Sequence, residues 1–160
     1  MPSVKSLSLV LFGVLGCCLL FPACSTPPKV SGVSAKLVGF RPMDNPDVPN
    51  RAIMTVRFSC EDLNAAAFSG STHKLYFNCV YVGTAENTTP IGLPAQGSTT
   101  MDMTFVIEDA VMVRRSIGVS DQALYRMETE LRYTDNGDLI RLKTHDEGKI
   151  PLAGLEQAVR

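Results

Sequence analysis

Cysteine and histidine side chains are the groups through which this sequence could do chemistry, and it contains few of them. They are Cys17, Cys18, Cys24, Cys60, Cys79, His73 and His145. A cysteine thiol can carry a lipid, bind a metal or form a disulfide, and a histidine imidazole can bind a metal or act as a general base. The sequence around each residue decides which of these roles is open to it.

The histidines give little support for catalysis. His73 and His145 are far apart in the sequence, and each stands beside residues typical of turns and strand ends. The run His145-Asp146-Glu147 could contribute to a metal site, but such a cluster in a loop is more often solvated. The sequence lacks the Gly-x-Ser-x-Gly, phosphate-loop, Cys-x-x-Cys and His-Glu-x-x-His motifs. We therefore predict no catalytic residue, no metal site and no cofactor, and keep a hydrolase that uses His73 or His145 as the less favoured alternative.

Cys24 ends a segment that has the parts of an export signal. Lys5 supplies a positive charge, Leu7 to Leu20 is an uncharged apolar run, and Ala23 is a small residue directly before Cys24. The run is interrupted by serine and glycine and is short for a helix that spans a bilayer. The segment resembles a bacterial lipoprotein signal, which implies cleavage after Ala23 and acylation of Cys24.

Two alternatives to this interpretation of the N-terminus stay open. The segment could be an uncleaved membrane anchor, or processing could occur at Cys17, where Val14-Leu15-Gly16-Cys17 is closer in its letters to a lipoprotein signal. Processing at Cys17 would leave several apolar residues on the mature chain and shorten the apolar region to about its minimum of 7 residues. We therefore prefer Cys24.

The predicted partner is the lipid bilayer, reached through acylated Cys24. Several acyl chains give stable attachment, whereas a single chain gives marginal attachment. We predict the periplasmic face or cell surface of a bacterial envelope, with the outer membrane favoured because Ser25 follows Cys24. Nucleic acid is not an expected partner, because 15 Lys and Arg against 16 Asp and Glu leave no basic domain or stripe.

The rest of the chain is predicted to be a flexible tether over residues 24–32 and one β-sandwich domain over residues 33–160. Alternating apolar and polar residues predict strands at Val33–Phe40, Arg51–Cys60, His73–Val82, Thr99–Ile107, Tyr125–Tyr133, Leu139–Lys143 and Lys149–Leu152. Ile91 and Leu93 predict a short return strand, Leu63 to Phe68 one helical turn, and Asp109 a short helix through Ser116. This pattern predicts a mainly β fold, an antiparallel immunoglobulin-like or fibronectin-like sandwich of about seven strands with one short helix.

Two of the predicted strands carry the cysteines that remain after the signal is removed. If each strand turns its more apolar face inward, Cys60 and Cys79 both point into the core. In an exported protein they could form a disulfide that closes a loop of about 20 residues and adds about 3 kcal/mol. The alternative is a pair of free thiols that pack as small apolar side chains.

The order of several segments resembles a known family. These segments are Leu37-Val38-Gly39-Phe40-Arg41, Met54–Ser59, Leu75–Val82 with Gly83, Ile91–Ser98 and Met101–Ile107. They resemble the late embryogenesis abundant (LEA) type 2 family, also called the water stress and hypersensitive response (WHy) domain, in its bacterial lipoprotein form, over residues 33–152. The resemblance implies a β-sandwich with a short helix, a role in protecting proteins or membranes under stress, and no catalytic residues.

We therefore expect a membrane-anchored, non-catalytic lipoprotein that binds or protects other components of the cell envelope under stress. An accessory subunit of an envelope complex is the alternative. An exposed sheet edge or apolar patch would distinguish that alternative, because a stable partner needs such a surface.

Overall fold

The computed structural model describes residues 32–43, 50–117, 122–135 and 137–151. Within these ranges the chain forms β1 (Val33–Pro42), β2 (Arg51–Cys60), β3 (Ala66–Phe68), β4 (Gly70–Phe77), β5 (Val80–Asn87), β6 (Ile91–Leu93), β7 (Ser98–Ile107), α1 (Ala110–Ile117), β8 (Gln122–Asp135) and β9 (Asp138–Pro151). The predicted signal peptide, Cys24 and the rest of the tether up to residue 31 lie outside the described residues. In the part of the chain that is described, no helix has the length and apolar composition needed to cross a bilayer.

Seven strands form one antiparallel sheet in the order β1-β2-β7-β5-β4-β8-β9, and β3 pairs with β6 in a separate small sheet. The large sheet curls so that its two edge strands, β1 and β9, contact each other. The result is a nearly closed, barrel-like sandwich, which confirms the predicted mainly β, antiparallel fold. Near closure also limits the unpaired strand edge that would otherwise be open to other chains.

Alternation along the strands builds the core. In β2, Met54, Val56 and Phe58 are fully buried, while the residues between them face outward. The same alternation runs along β8, where Met127 and Leu131 are fully buried. Strands with one buried and one hydrated face are typical of antiparallel sheets, and here the buried faces enclose one core.

The predicted short helix is confirmed as α1. Asp109 caps it, since one of its carboxylate oxygens accepts a hydrogen bond of 2.9 Å from the backbone N–H of Met112. Val113 is fully buried, and the helix packs against β5 and β4. Val113 therefore anchors the helix to the end of the sandwich, and Ala110 packs against the same core.

The predicted strand His73–Val82 is wrong, because the chain reverses within it. β4 and β5 are joined by a two-residue turn in which Asn78 and Cys79 have φ values of 48° and 68°. A tight hairpin of this kind needs positive φ at both central residues, which Asn tolerates and which Cys adopts rarely. Aromatic and β-branched residues flank the turn on both sides, so the sequence pattern predicted one continuous strand.

Two further predictions of local structure are wrong. The strands expected at Leu139–Lys143 and Lys149–Leu152 are parts of one continuous strand, β9, which pairs with β8 along all of its 14 residues. The run His145-Asp146-Glu147 therefore lies in a strand and not in a loop. The helical turn expected at Leu63 to Phe68 is replaced by β3, whose three residues find hydrogen-bonding partners in β6.

Candidate functional site

His73 lies on the inner face of β4 and is fully buried. Its Nδ1 is 2.9 Å from Thr129 Oγ1, and its Nε2 is 2.8 Å from Ser71 Oγ. Because each hydroxyl can donate or accept, both ring nitrogens are satisfied with the ring neutral. The imidazole also packs against the ring of Phe58, with 5.7 Å between the ring centroids. His73 is therefore the centre of a small polar cluster inside an apolar core.

Burial lowers the pKa of His73 from 6.5 to about 4, since a charged ring would lose its water without gaining an opposite charge. The ring is consequently neutral at physiological pH. A general base needs access to a substrate and a pKa near the working pH. In this structure His73 has neither, and its contacts give it a role in stability.

His145 lies on the opposite side of the sheet. His73 pairs with Thr129, and Thr129 pairs with Thr144, so these three residues lie on the inner face. His145, the next residue along β9, therefore points outward. The exposed His145 stands across from Glu128 on the outer face. It borders a groove of about 530 Å³ whose lining residues are Thr72, Lys74, Glu128, Thr129, Glu130, Lys143, Thr144 and His145. The structure does not bring the two histidines into one site.

The acidic neighbours of His145 do not converge on an ion. Along β9 the side chains alternate, so His145 and Glu147 face outward while Asp146 faces inward. Within the described residues, no group of three or more His, Cys, Asp or Glu side chains is arranged to hold a metal ion. The arrangement of this run follows from its position in a strand, which the sequence interpretation missed.

Asp146 instead joins the two edge strands of the sheet. Its Oδ2 accepts hydrogen bonds from the hydroxyl of Tyr125, at 2.6 Å, and from the backbone N–H of Leu37, at 3.1 Å. Leu37 lies at an irregularity of β1 where the pairing register shifts. Burial, followed by the hydrogen bond to Asp146, raises the pKa of Tyr125, so the phenol remains a donor. One carboxylate thus links β1 and β9 where they do not pair directly.

A glycine makes room for this link. Gly148 is the cross-strand partner of Tyr125, and a Cβ at position 148 would lie 2.9 Å from Tyr125 Cε1. The aromatic ring therefore occupies the space that a side chain would need. Ile140, Leu142 and Ile150 lie on the same face as Asp146, and this even spacing was a signal in the sequence that could have joined the two predicted strands into β9 and placed Asp146 inward.

The structure contradicts the possible disulfide between Cys60 and Cys79, and the expectation that both side chains point into the core holds for Cys60 alone. Both thiols are free, with Cys60 buried and Cys79 exposed. Cys60 lies beside the Ser98 end of β7, whereas Cys79 lies beyond the Ile107 end. A strand of 10 residues such as β7 is about 30 Å long, and a disulfide needs Cα atoms within about 7 Å. The missed turn at Asn78 and Cys79 is the reason for the error.

The outer face of β5, β4, β8 and β9 is hydrated and carries mixed charge. Ion pairs join Arg132 to Glu86 at 3.0 Å, Arg141 to Glu130 at 3.2 Å and Arg126 to Glu128 at 3.3 Å. Pairs of this exposed kind add little stability, because water and salt screen them. Their main effect is to give the sheet a polar surface that presents both signs of charge.

No protein-family model matches the sequence, and no curated protein matches it. Several solved structures are similar in fold. The solution structure of AT1g01470 from Arabidopsis thaliana has a TM-score of 0.52 and 14% identity, over 82% of this chain and 91% of that chain. The solution structure of At2g46140.1, described as a late embryogenesis abundant (LEA) protein, has a TM-score of 0.47 and 13% identity, over 97% of this chain and 90% of that chain. The crystal structure of a protein from Archaeoglobus fulgidus has a TM-score of 0.44 and 15% identity, over 74% of this chain and 94% of that chain. At these identities the likeness to AT1g01470 shows the fold alone, as a sandwich that extends over most of both chains.

Proposed function

We propose that this protein is a lipid-anchored lipoprotein of the bacterial cell envelope whose β-sandwich acts by contact and not by catalysis. The observation that carries the proposal is the lipoprotein-like segment that ends at Cys24, followed within nine residues by the first strand at Val33. An acylated Cys24 would hold the domain beside the bilayer. The anchor would then determine which molecules the domain can touch.

The interior of the domain supports a role in contact. The titratable group at its centre, His73, is satisfied by two hydroxyls and shielded from solvent. Chemistry on a substrate would need a group of this kind in an open cleft. The polar outer face of the sheet, in contrast, is accessible to solvent. A hydrated surface with both signs of charge suits weak contacts with many partners.

The resemblance to the LEA type 2 family supports a protective role under stress. The segments that carry this resemblance form β1, β2, the β4–β5 hairpin and β7, which are five of the seven strands of the large sheet, and β6 of the small sheet. We propose that the anchored domain protects the membrane or nearby proteins when water is lost. The periplasmic face or the cell surface is the proposed location, with the outer membrane favoured.

The substitution Cys24→Ser tests the anchor and its importance together. In the native host, we expect the wild-type protein in the membrane fraction and the variant in the soluble fraction or as an unprocessed precursor, because Ser cannot form the thioether to lipid. Survival of the cells after drying should fall to the level of a strain that lacks the protein. Fractionation with immunoblotting and counts of surviving cells measure the two effects.

Two cysteine variants serve as controls. Cys79→Ser alters an exposed thiol of the folded domain and should leave both the membrane location and survival unchanged. Cys17→Ser tests processing at the alternative position. If Cys17→Ser releases the protein and Cys24→Ser does not, the anchor has been assigned to the wrong cysteine.

An accessory subunit of an envelope complex is a second candidate, and one observation favours it. The short helix α1 exposes Val111 and Met112, with 59% and 45% of their surface accessible, and Val106 on the preceding strand is 45% exposed. Adjacent apolar side chains such as Val111 and Met112 can form a contact with another protein. Crosslinking in the native membrane separates the candidates, because a subunit would be recovered with one partner in constant ratio.

A further inference from the structure

The chain enters the sandwich at an end that also carries several loops. The backbone carbonyl of Gly32, just before β1, accepts a hydrogen bond of 2.7 Å from the N–H of Glu61, and the carbonyl of Asp62 accepts one of 3.0 Å from Gln96. The loop of residues 61–65 and the turn of residues 94–97 therefore lie beside the point of entry. We call this the entry end.

The tip of the β8–β9 hairpin belongs to the same end. β3 follows the loop of residues 61–65, and its Phe68 packs edge-on against Tyr133 of β8, with 5.9 Å between the ring centroids. Tyr133 lies two residues before Asp135, which pairs with Asp138 across the tip. The entry end is thus formed by Gly32, residues 61–65, residues 94–97 and the hairpin tip.

Two leucines project from the entry end into solvent. Leu63 is 76% exposed, which is the highest value for a large apolar side chain in the described part of the chain, and Leu139 beside the hairpin tip is 57% exposed. The free energy falls when an apolar side chain leaves water. Within the described residues, both side chains remain largely in water.

The length of the tether limits where a bilayer can lie. Gly32 lies eight positions after Cys24, and a fully extended chain over that interval spans at most about 29 Å. The opposite end of the sandwich, which carries α1 and Leu124, lies farther from the entry end by about the 30 Å length of β7. A lipid at Cys24 therefore holds the entry end near the membrane surface, whereas the opposite end could reach that surface only if the tether were fully extended along the side of the domain.

We propose that the entry end rests on the bilayer and that Leu63 and Leu139 insert among the lipids. This inference relies on the proposed acylation of Cys24. Glu61 and Asp62 stand next to Leu63, and Asp135 and Asp138 stand near Leu139. Because these carboxylates are repelled by an anionic surface, the partner is a surface of zwitterionic lipid.

Tryptophan fluorescence tests the orientation directly, because the natural chain contains no tryptophan. Leu63→Trp places a single tryptophan at the entry end, and Leu124→Trp places one at the opposite end, where Leu124 is 58% exposed. Each acylated variant is reconstituted in phosphatidylcholine vesicles with brominated acyl chains. We expect Trp fluorescence at position 63 to be blue-shifted and largely quenched, and at position 124 to be unaffected. Leu139→Trp provides a second probe of the entry end should Leu63→Trp fold poorly.

Each other outcome contradicts a definite part of the proposal. If the protein floats with the vesicles but fluorescence at position 63 is quenched by aqueous iodide and not by bromine, the orientation is wrong while the anchor stands. If the protein does not float, the anchor and the contact both fail. If quenching is as strong in phosphatidylglycerol vesicles, the preference for zwitterionic lipid is wrong.

Discussion

Gly83→Ala is expected to destabilise the protein by more than about 3 kcal/mol or to prevent folding, because the added methyl group has no space. A Cβ at position 83 would lie 1.9 Å from the backbone carbonyl oxygen of Val106, and the φ of 156° at Gly83 is one that other residues rarely adopt. Gly83 and Ile107 form the first cross-strand residue pair between β5 and β7. Relief of the clash would have to separate the two strands in the middle of the sheet.

Chemical denaturation measures this effect, and Gly92→Ala is its control. A Cβ at position 92 meets no atom within 4 Å, so we expect a change of no more than about 0.5 kcal/mol in the free energy of unfolding. Equal stability of the two variants would show that β5 and β7 do not approach each other as the structure describes.

Acid should weaken the fold through His73, by about 3 kcal/mol. Burial lowers the pKa of His73 from 6.5 to about 4, so between these values the unfolded chain binds a proton that the folded chain does not. The stability from the neutral ring is complete above pH 6.5. It falls as the pH decreases, and the loss is complete below about pH 4.

Urea denaturation at a series of pH values measures this loss, and His73→Gln should remove it. Glutamine can bond to the same hydroxyls but does not titrate, so the difference in unfolding free energy between wild type and variant should shrink from pH 7 to pH 4. His145→Gln changes an exposed residue and should keep the wild-type dependence. A His73→Gln variant that loses stability in acid as steeply as the wild type would contradict the assignment.

Alternation predicted the strands wherever one face is apolar and the other polar, as in β2, β7 and β8. It failed at Asn78 and Cys79, where the two-residue turn shifts the inward positions by one, from Leu75 and Phe77 to Val80 and Val82. Because Tyr81 between these valines is also apolar, the sequence carries no signal of the shift. The pairing of Phe77 with Val80 across the hairpin reveals it, and a bulge in β5 then returns Gly83 and Ala85 to the inner face.

The links that close the sandwich depend on contacts that local patterns cannot show. Asp146 and Leu37 are 109 positions apart, and no spacing rule joins a carboxylate to a backbone N–H across such a distance. Part of the cluster around His73 could have been predicted from the sequence, since Ser71 is two residues away and faces the same side. The contact with Thr129 could not have been predicted, because it depends on the pairing of β4 with β8.

We propose that Cys24 carries the lipid that holds this sandwich on a membrane. The mass of the N-terminal peptide from the mature, membrane-extracted protein tests this assignment. We predict a peptide that begins at Cys24 and is heavier than its sequence by a diacylglyceryl group and an amide-linked acyl chain. A mature protein that begins at Met1, or at any residue without bound lipid, would contradict the account.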